Sequence, residues 1–315
     1  MTYQKPDLSI IIVSWNTRQL LSQCLTTVHE NLAALPHLDV ETFVVDNASA
    51  DESTQMVQAQ FPWVRLIANQ ENVGFARANN QAIRQTTARY VLLLNPDTEL
   101  RAGSLATLIE FMEQHPQAGA VGPYLLNPDG SLQISCYPAP TLWHEFWRLF
   151  HLDALWRGAS PSYRQERWST KVPREVDVIK GACLMVRQDA LKEVGLLDEG
   201  FFMYAEEVDL CRRLIVAGWD LYWVPESKVL HYGGQSTKQV AGDMFLRLYE
   251  TKVLYFRKHD GETGAAVYKL ILFAAALARL LIVAAVHQLP LRQRRQKHLT
   301  LASHYRLLVR KLGSF

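Results

Sequence analysis

The chain has 315 residues, 49% hydrophobic and 20% charged, which is long enough for a large core and too apolar for a disordered chain. Its 33 Lys and Arg against 31 Asp and Glu hide a split: residues 1–262 hold 24 basic and 31 acidic side chains, whereas the last 53 residues hold nine basic ones and no acid. A slightly acidic body argues against nucleic-acid binding, and the basic tail suggests an anionic partner.

Leu8–Trp15 (LSIIIVSW) is an apolar run typical of a strand buried on both faces. Thr17–Leu32 follows with helical spacing of Leu20, Leu21, Cys24, Leu25 and Val28. Then come a strand at Val40–Val45, a helix at Asp51–Gln60, a strand at Val64–Ala68, a helix at Phe75–Thr86 and a strand at Tyr90–Leu94. A helix at Leu105–Gln114 and a strand at Ala118–Val121 complete a βα alternation that predicts parallel βαβ units in a doubly wound sheet. Trp143–Trp168 breaks the pattern, with four of the eight tryptophans in an irregular segment. Order returns over Val176–Arg187, Phe201–Ala217 and a strand at Leu221–Val224, and the body is expected to end near Thr237.

The four cysteines, Cys24, Cys136, Cys183 and Cys211, lack CxxC or zinc spacing, which suggests reduced thiols in a cytosolic chain. Ile10–Val13 is too short for a signal-peptide core. In the tail, Leu270–Val286 is a 17-residue apolar run with one charge, Arg279, followed by the basic cluster Arg292–Lys297. The run is short of the roughly 20 residues of a bilayer span. An interfacial or re-entrant helix on an anionic membrane face is expected; the alternative is a helix packed on the body or on a partner subunit.

Open α/β sheets present their ligands at the carboxyl ends of the strands. Those ends read Ser14-Trp15-Asn16, Asp46-Asn47 and Asn95-Pro96-Asp97. Neither GxGxxG nor a P-loop occurs, which disfavours both kinds of phosphate loop; side chains could hold a nucleotide instead. Asp46 can accept from a pyrimidine N3–H, and Asp97 can hold a divalent metal against a diphosphate. The alternative is that both aspartates cap the helices after them. Asp209 with Arg212 or Arg213 reads as a surface ion pair.

The ordered set SIIIVSWN (9–16), FVVDNASAD (43–51), ENVGFARANN (71–80), LLLNPDTEL (92–100), FFMYAEEVDLCRR (201–213) and HYGGQST (231–237) resembles the GT-A family 2 glycosyltransferases, in particular their rhamnosyltransferase-like branch. The resemblance covers about residues 7–237. It implies an α/β GT-A fold, Rossmann-like with a mostly parallel central sheet flanked by helices, carrying a C-terminal helical extension at 238–315. It also implies inverting, metal-dependent transfer from a nucleotide sugar, with dTDP-rhamnose as the expected donor. The acceptor would be a hydroxyl of a glycan or lipid-linked molecule in cell-envelope polysaccharide synthesis, at the cytosolic face of the inner membrane.

By the same resemblance, Asp46 contacts the nucleobase, Ser14 and Arg77 line the nucleoside pocket, and Asp97 with His231 holds Mn or Mg. Glu207 is the base, with Glu206 as fallback. Two departures stand out: Asn95 replaces an acid of the family's metal motif, and Glu206-Glu207 replaces its Glu-Asp. The alternatives are another UDP- or GDP-hexose donor, or a catalytically weak nucleotide-sugar-binding subunit of a membrane assembly. An oligomer is compatible with the pattern. The aromatic segment 143–170, with Trp147 and Trp156, is a candidate acceptor loop because indole faces stack on sugars and settle at membrane interfaces; a plain hydrophobic lid is the alternative.

Overall fold

In the computed structural model the apolar run at the start of the chain is strand β1 (Leu8–Ser14), buried at every position. Residues 5–152, 163–287 and 295–315 are described, and they form two units: residues 1–139 with 163–239, and residues 140–162 with 240–315.

In the first unit, β1 leads into helix α1 (Arg18–Ala33), strand β2 (Val40–Asp46), helix α2 (Ser53–Gln60), strand β3 (Arg65–Ala68), helix α3 (Phe75–Ile83) and strand β4 (Tyr90–Leu94). The chain then forms β5 (Thr98–Leu100), α4 (Ser104–Gln114), β6 (Ala118–Leu126) and the short strands β7 (Leu132–Gln133) and β8 (Cys136–Tyr137). Helix α5 (Leu142–Leu149) belongs to the second unit. Back in the first unit come β9 (Arg174–Glu175), β10 (Val178–Ile179), β11 (Cys183–Arg187), α6 (Gln188–Val194), α7 (Glu206–Val216) and β12 (Asp220–His231).

The described residues form a ten-stranded mixed sheet in the order β3-β2-β1-β4-β11-β6-β12-β5, with β7 on β6 and β9 on β12. β3, β2, β1 and β4 are parallel, β11 runs antiparallel to β4 and β6, and β12 runs parallel to β6. β12 is longer than the expected Leu221–Val224. Its register shifts between Val224 and Lys228, which lets Pro225, with no N–H to give, sit inside a strand. Beyond that irregularity β12 continues to His231 and pairs antiparallel with β5.

Each face of the sheet has its own core. On one face α1 lays Leu21, Cys24, Leu25 and Val28 against Ile10, Ile12 and Leu92, joined by α4. On the other, α3, α6 and α7 cover Ile11, Phe43, Val91 and Leu93. Gly74 starts α3 at φ +87, where a Cβ would lie 2.6 Å from the Phe202 carbonyl oxygen. The neighbouring Phe75 N–H donates to that same oxygen at 2.7 Å. Glycine thus lets α3 and the loop before α7 close on each other.

In the second unit, α5 is joined by α8 (Ala241–His287), bent at Gly261, and α9 (Arg295–Lys311). The aromatic segment 143–170, expected as one irregular loop of the first domain, is divided. Thr141 caps α5 by accepting the His144 N–H at 3.1 Å. Glu145, buried on α5, accepts Lys252 of α8 at 2.6 Å and Arg148 at 2.5 Å. Trp168 instead packs in the first unit, 5.2 Å from Trp223. Trp156 lies outside the described residues.

Beyond Gly261, α8 buries Tyr268, Leu272, Ala275 and Ala276, and turns Leu270, Phe273, Leu277, Leu281 and Ile282 to the outside. The stretch Gly242–Ala284 is long and apolar enough to cross a membrane by length and composition, and 22% of its most apolar window is buried. Arg292 and Arg294 of the basic cluster lie outside the described residues.

Candidate active site

β1, β2 and β4 run parallel and end on one edge, so the polar residues after them converge there. Ser14 and Asp46 are register partners. The Ser14 hydroxyl shares a hydrogen bond with Thr17 Oγ1 at 2.9 Å. Asp46 Oδ2 accepts the Ser49 N–H at 2.9 Å, while its buried Oδ1 has no partner among the described residues. Leaving such an oxygen unpaired costs about 1–3 kcal/mol, so a ligand N–H is its natural complement. Neither Asp46 nor Asp97 caps a helix: α2 starts only at Ser53, and strand β5 follows Asp97.

Beside Asp46, an amide network joins the loops. Asn47 Nδ2 donates to Asn72 Oδ1 at 3.1 Å, and Asn69 Nδ2 donates to Asn47 Oδ1 at 3.0 Å. Asn47 was read from the sequence as a strand-end residue and Asn72 lies within the ENVGF motif, whereas Asn69 was not singled out. Arg77, expected to line the nucleoside pocket, is engaged with a carboxylate of the protein itself. It lies on α3, more than half exposed, and donates to Glu199 at 3.2 Å, with Arg84 on the same carboxylate at 2.6 Å. Among the described residues it makes no hydrogen bond to Ser14 or Asp46.

Asp97 and His231 meet because β12 pairs with β5 immediately after Asp97, and Tyr232 N–H donates to the Asp97 carbonyl at 2.9 Å. Asp97 Oδ1 lies 3.3 Å from His231 Nε2, with both side chains buried. Asn95 Nδ2 is 3.5 Å from the same nitrogen. The tautomer follows from Gln133: its Nε2 donates to Asn127 and to the His231 carbonyl, so its Oε1 faces His231 Nδ1 at 2.5 Å and accepts the ring proton. Nε2 then faces a carboxylate oxygen with its lone pair, beside the Asn95 amide. Burial pulls the Asp97 pKa up, but the His231 contact and the Gln235 N–H outweigh it and hold the carboxyl below its usual range.

A divalent ion fits the same donors, with the second imidazole nitrogen anchored by a carbonyl as metal-bound histidines require. Among the described residues no group of three His, Cys, Asp or Glu gathers as a metal cluster. A metal here would therefore take most of its ligands from the donor phosphates and water, as Mg2+ commonly does.

At the head of α7, Tyr204 and Ala205 take left-handed φ values of 71 and 65, a cost of order 1–3 kcal/mol each for non-glycine residues. They deliver Glu206 and Glu207 together. Glu206 is buried, and one oxygen of each carboxylate is buried with no partner among the described residues. Burial and the Glu207 charge push Glu206 well above the ordinary carboxylate range. Burial raises Glu207 too, but the N–H groups of Glu207, Gly181 and Val208 and the Lys180 ammonium favour its ionised form. Gln133 and Lys180 were missed in the sequence because no motif contains them. Trp147 sits on α5 in the second unit, 5.3 Å from Trp143 and 6.3 Å from Phe146.

Residues 9–195 match the family described as glycosyl transferase family 2. The N-acetylglucosaminyl-diphospho-decaprenol L-rhamnosyltransferase of Mycobacterium tuberculosis is 34% identical over 238 residues, covering 70% of this chain and 76% of its own length. Rhamnosyltransferase WbbL of Escherichia coli is 29% identical over 187 residues, 55% of this chain and 66% of WbbL. Among solved structures, the mannosyltransferase PcManGT of Pyrobaculum calidifontis with GDP-Man and Mn2+ superposes with a TM-score of 0.56 at 18% identity, over 99% of this chain and 88% of that one. GalNAc-T7 with UDP, GalNAc and Mn2+ gives 0.54 at 16%, over 73% and 44%. With a family match across more than half its length and acidic groups gathered at the carboxyl edge of a GT-A sheet, this chain belongs to glycosyl transferase family 2 and is a glycosyltransferase.

Proposed function

We propose that the enzyme transfers L-rhamnose from dTDP-rhamnose, with inversion, to a hydroxyl of a lipid-linked or glycan acceptor in cell-envelope polysaccharide synthesis. The observation that carries the donor end is the 3.3 Å approach of Asp97 Oδ1 to His231 Nε2, with the other imidazole nitrogen already committed to Gln133. The choice of sugar and acceptor is supported by the names of the mycobacterial and Escherichia coli relatives.

Asp46 Oδ1 would accept a nucleobase N–H, with Ser14 beside it. Asp97 and His231, with Asn95 adjacent, would hold Mn2+ or Mg2+, which when bound supplies positive charge to the leaving diphosphate. Glu207 takes the proton of the acceptor hydroxyl as its oxygen bonds to the anomeric carbon and the carbon–phosphate oxygen bond breaks. The support for Glu207 over Glu206 is its backbone N–H donors and the nearby ammonium, which favour its carboxylate form. Trp147 and Trp156 remain proposed acceptor contacts. The exposed apolar face of α8, with the basic run after it, supports peripheral docking on the cytosolic face of an anionic membrane.

A second reading, a catalytically weak nucleotide-sugar-binding subunit, draws on Asn95 in place of an acid. The test supplies dTDP-rhamnose, Mn2+ or Mg2+ and polyprenyl-diphospho-N-acetylglucosamine to the purified protein. Wild type should form an inverted rhamnosyl product, and Glu207→Gln should slow turnover about 10²–10⁴-fold. Turnover within a few-fold of wild type moves the base elsewhere, to Glu206 first. Faster transfer from a UDP- or GDP-hexose reassigns the donor, and nucleotide binding without turnover favours the second reading.

A further inference from the structure

The Lys180 ammonium sits between the two ends of this site. Its backbone is pinned just after β10, where its N–H donates to the Ser135 carbonyl at 2.8 Å. Its Nζ donates to Gln133 Oε1 at 3.0 Å, the same oxygen that accepts the His231 ring proton. Lys180 is thus one shared acceptor away from His231. It also feels the charges of both Asp97 and Glu207, the carboxylates proposed for the metal end and the base end. Next to it in sequence, Gly181 packs against the Glu207 side chain, where a Cβ would lie 3.5 Å from Glu207 Cβ.

A half-buried ammonium has three donors, and one of Lys180's is spent on Gln133. In a glycosyl transfer the bond that breaks lies between the metal-bound diphosphate and the sugar carbon approached on the base side, and negative charge grows on the departing oxygen. We infer that Lys180 is a donor-binding residue whose ammonium contacts the diphosphate of the nucleotide sugar, adding a fixed positive charge in a site where Asn95 has replaced an acidic metal ligand. With one fewer carboxylate the site attracts a metal less strongly, and a lysine at this place supplies part of the missing phosphate neutralisation. A compact ammonium on a flexible stem can follow the phosphate as the bond lengthens. Diphosphate binding then has a component that does not depend on metal.

This inference rests on the proposed nucleotide-sugar reading, and the test separates the two. Thymidine, uridine and guanosine diphosphates are titrated calorimetrically into wild type, Lys180→Gln and Lys180→Arg, with Mn2+ and with EDTA. The nucleoside matching the tightest diphosphate serves as the control ligand. Wild type should keep measurable diphosphate affinity in EDTA. Lys180→Gln should weaken the diphosphate about tenfold or more, the scale of a lost charged hydrogen bond, while leaving the nucleoside unchanged. Lys180→Arg should recover most of the loss. A loss seen with Mn2+ but absent in EDTA would mean that Lys180 only braces Gln133 and His231, equal losses for diphosphate and nucleoside would mean a general disturbance of the fold, and an unchanged diphosphate affinity would remove Lys180 from the site; each result overturns the inference. If wild type binds none of the diphosphates, the donor reading itself falls, and the Lys180 contact falls with it.

Discussion

Two adjacent carboxyls at the head of α7 cannot both be ionised cheaply in a buried setting. Glu206, pushed up by burial and by its neighbour's charge, stays protonated in the fold at a pH where the unfolded chain has released that proton. The folded state then binds more protons than the unfolded one. Stability therefore falls as pH rises above about 4.3, by up to about 1.4 kcal/mol per pH unit for one such group. Gln mimics the protonated acid without this dependence. Glu206→Gln should accordingly melt higher than wild type at pH 7.5, and the gap should close near pH 4. Melting scans at the two pH values check this; a constant gap would show that the carboxyl is not held protonated. The cysteines give a second residue-scale expectation. All four are buried thiols, and burial pushes Cys24, Cys136 and Cys211 up to about 12 and Cys183 upward as well. The thiolate is the reactive form, so an aromatic disulfide reagent should label none in the native protein and all four in denaturant. One fast-reacting thiol in the native state would contradict this burial.

At the scale of elements, the pair read from the sequence as a surface contact is the fastening of α7. Asp209 is fully buried, and Arg213 Nε donates to it at 2.8 Å. The same guanidinium donates to the carbonyls of Val194, Gly195 and Leu196 at 2.7, 3.1 and 2.8 Å. Arg213→Met would remove a charged partner from a buried carboxylate and the donor to three carbonyls, and urea unfolding should show a loss of about 3–5 kcal/mol. A loss of at most about 1 kcal/mol would restore the surface-pair reading. The contrast explains what the sequence displayed. Buried parallel strands are written locally, as apolar runs such as Ile10–Val13 and Tyr90–Leu94, and in a doubly wound sheet the polar residues that follow them must converge. Ser14, Asp46 and Asp97 were legible for that reason. What stayed hidden depends on partners far along the chain. Gln133 anchors His231 from 98 positions away. Glu145 is buried in α5 with Lys252 reaching it across 107 positions, beside Arg148 of its own helix. The contact of Arg77 with Glu199 likewise spans 122 positions.

For the molecule as a whole, the opposed charges of body and tail invite a test of where the enzyme works. The second half of α8 exposes Leu270, Leu281 and Ile282 at 66%, 71% and 61% on one side of a helix whose other side is packed. The chain then carries Arg292, Arg294, Arg295 and Lys297 within six residues. An apolar face next to a basic run matches an anionic bilayer surface, where acyl chains accept the leucines and each basic residue adds about 1 kcal/mol. In flotation assays the wild-type protein should bind vesicles containing phosphatidylglycerol better than pure phosphatidylcholine, and salt should weaken the difference. Leu277→Glu with Leu281→Glu should lose binding to both. Neutralising the four basic residues should remove the anionic preference, by roughly 100-fold or more at about 1 kcal/mol each, while leaving weak binding through the apolar face. If wild type ignores vesicles but self-associates with rising concentration, and the double glutamate variant stays monomeric, the α8 face is an interface between copies of the chain and the membrane reading is wrong.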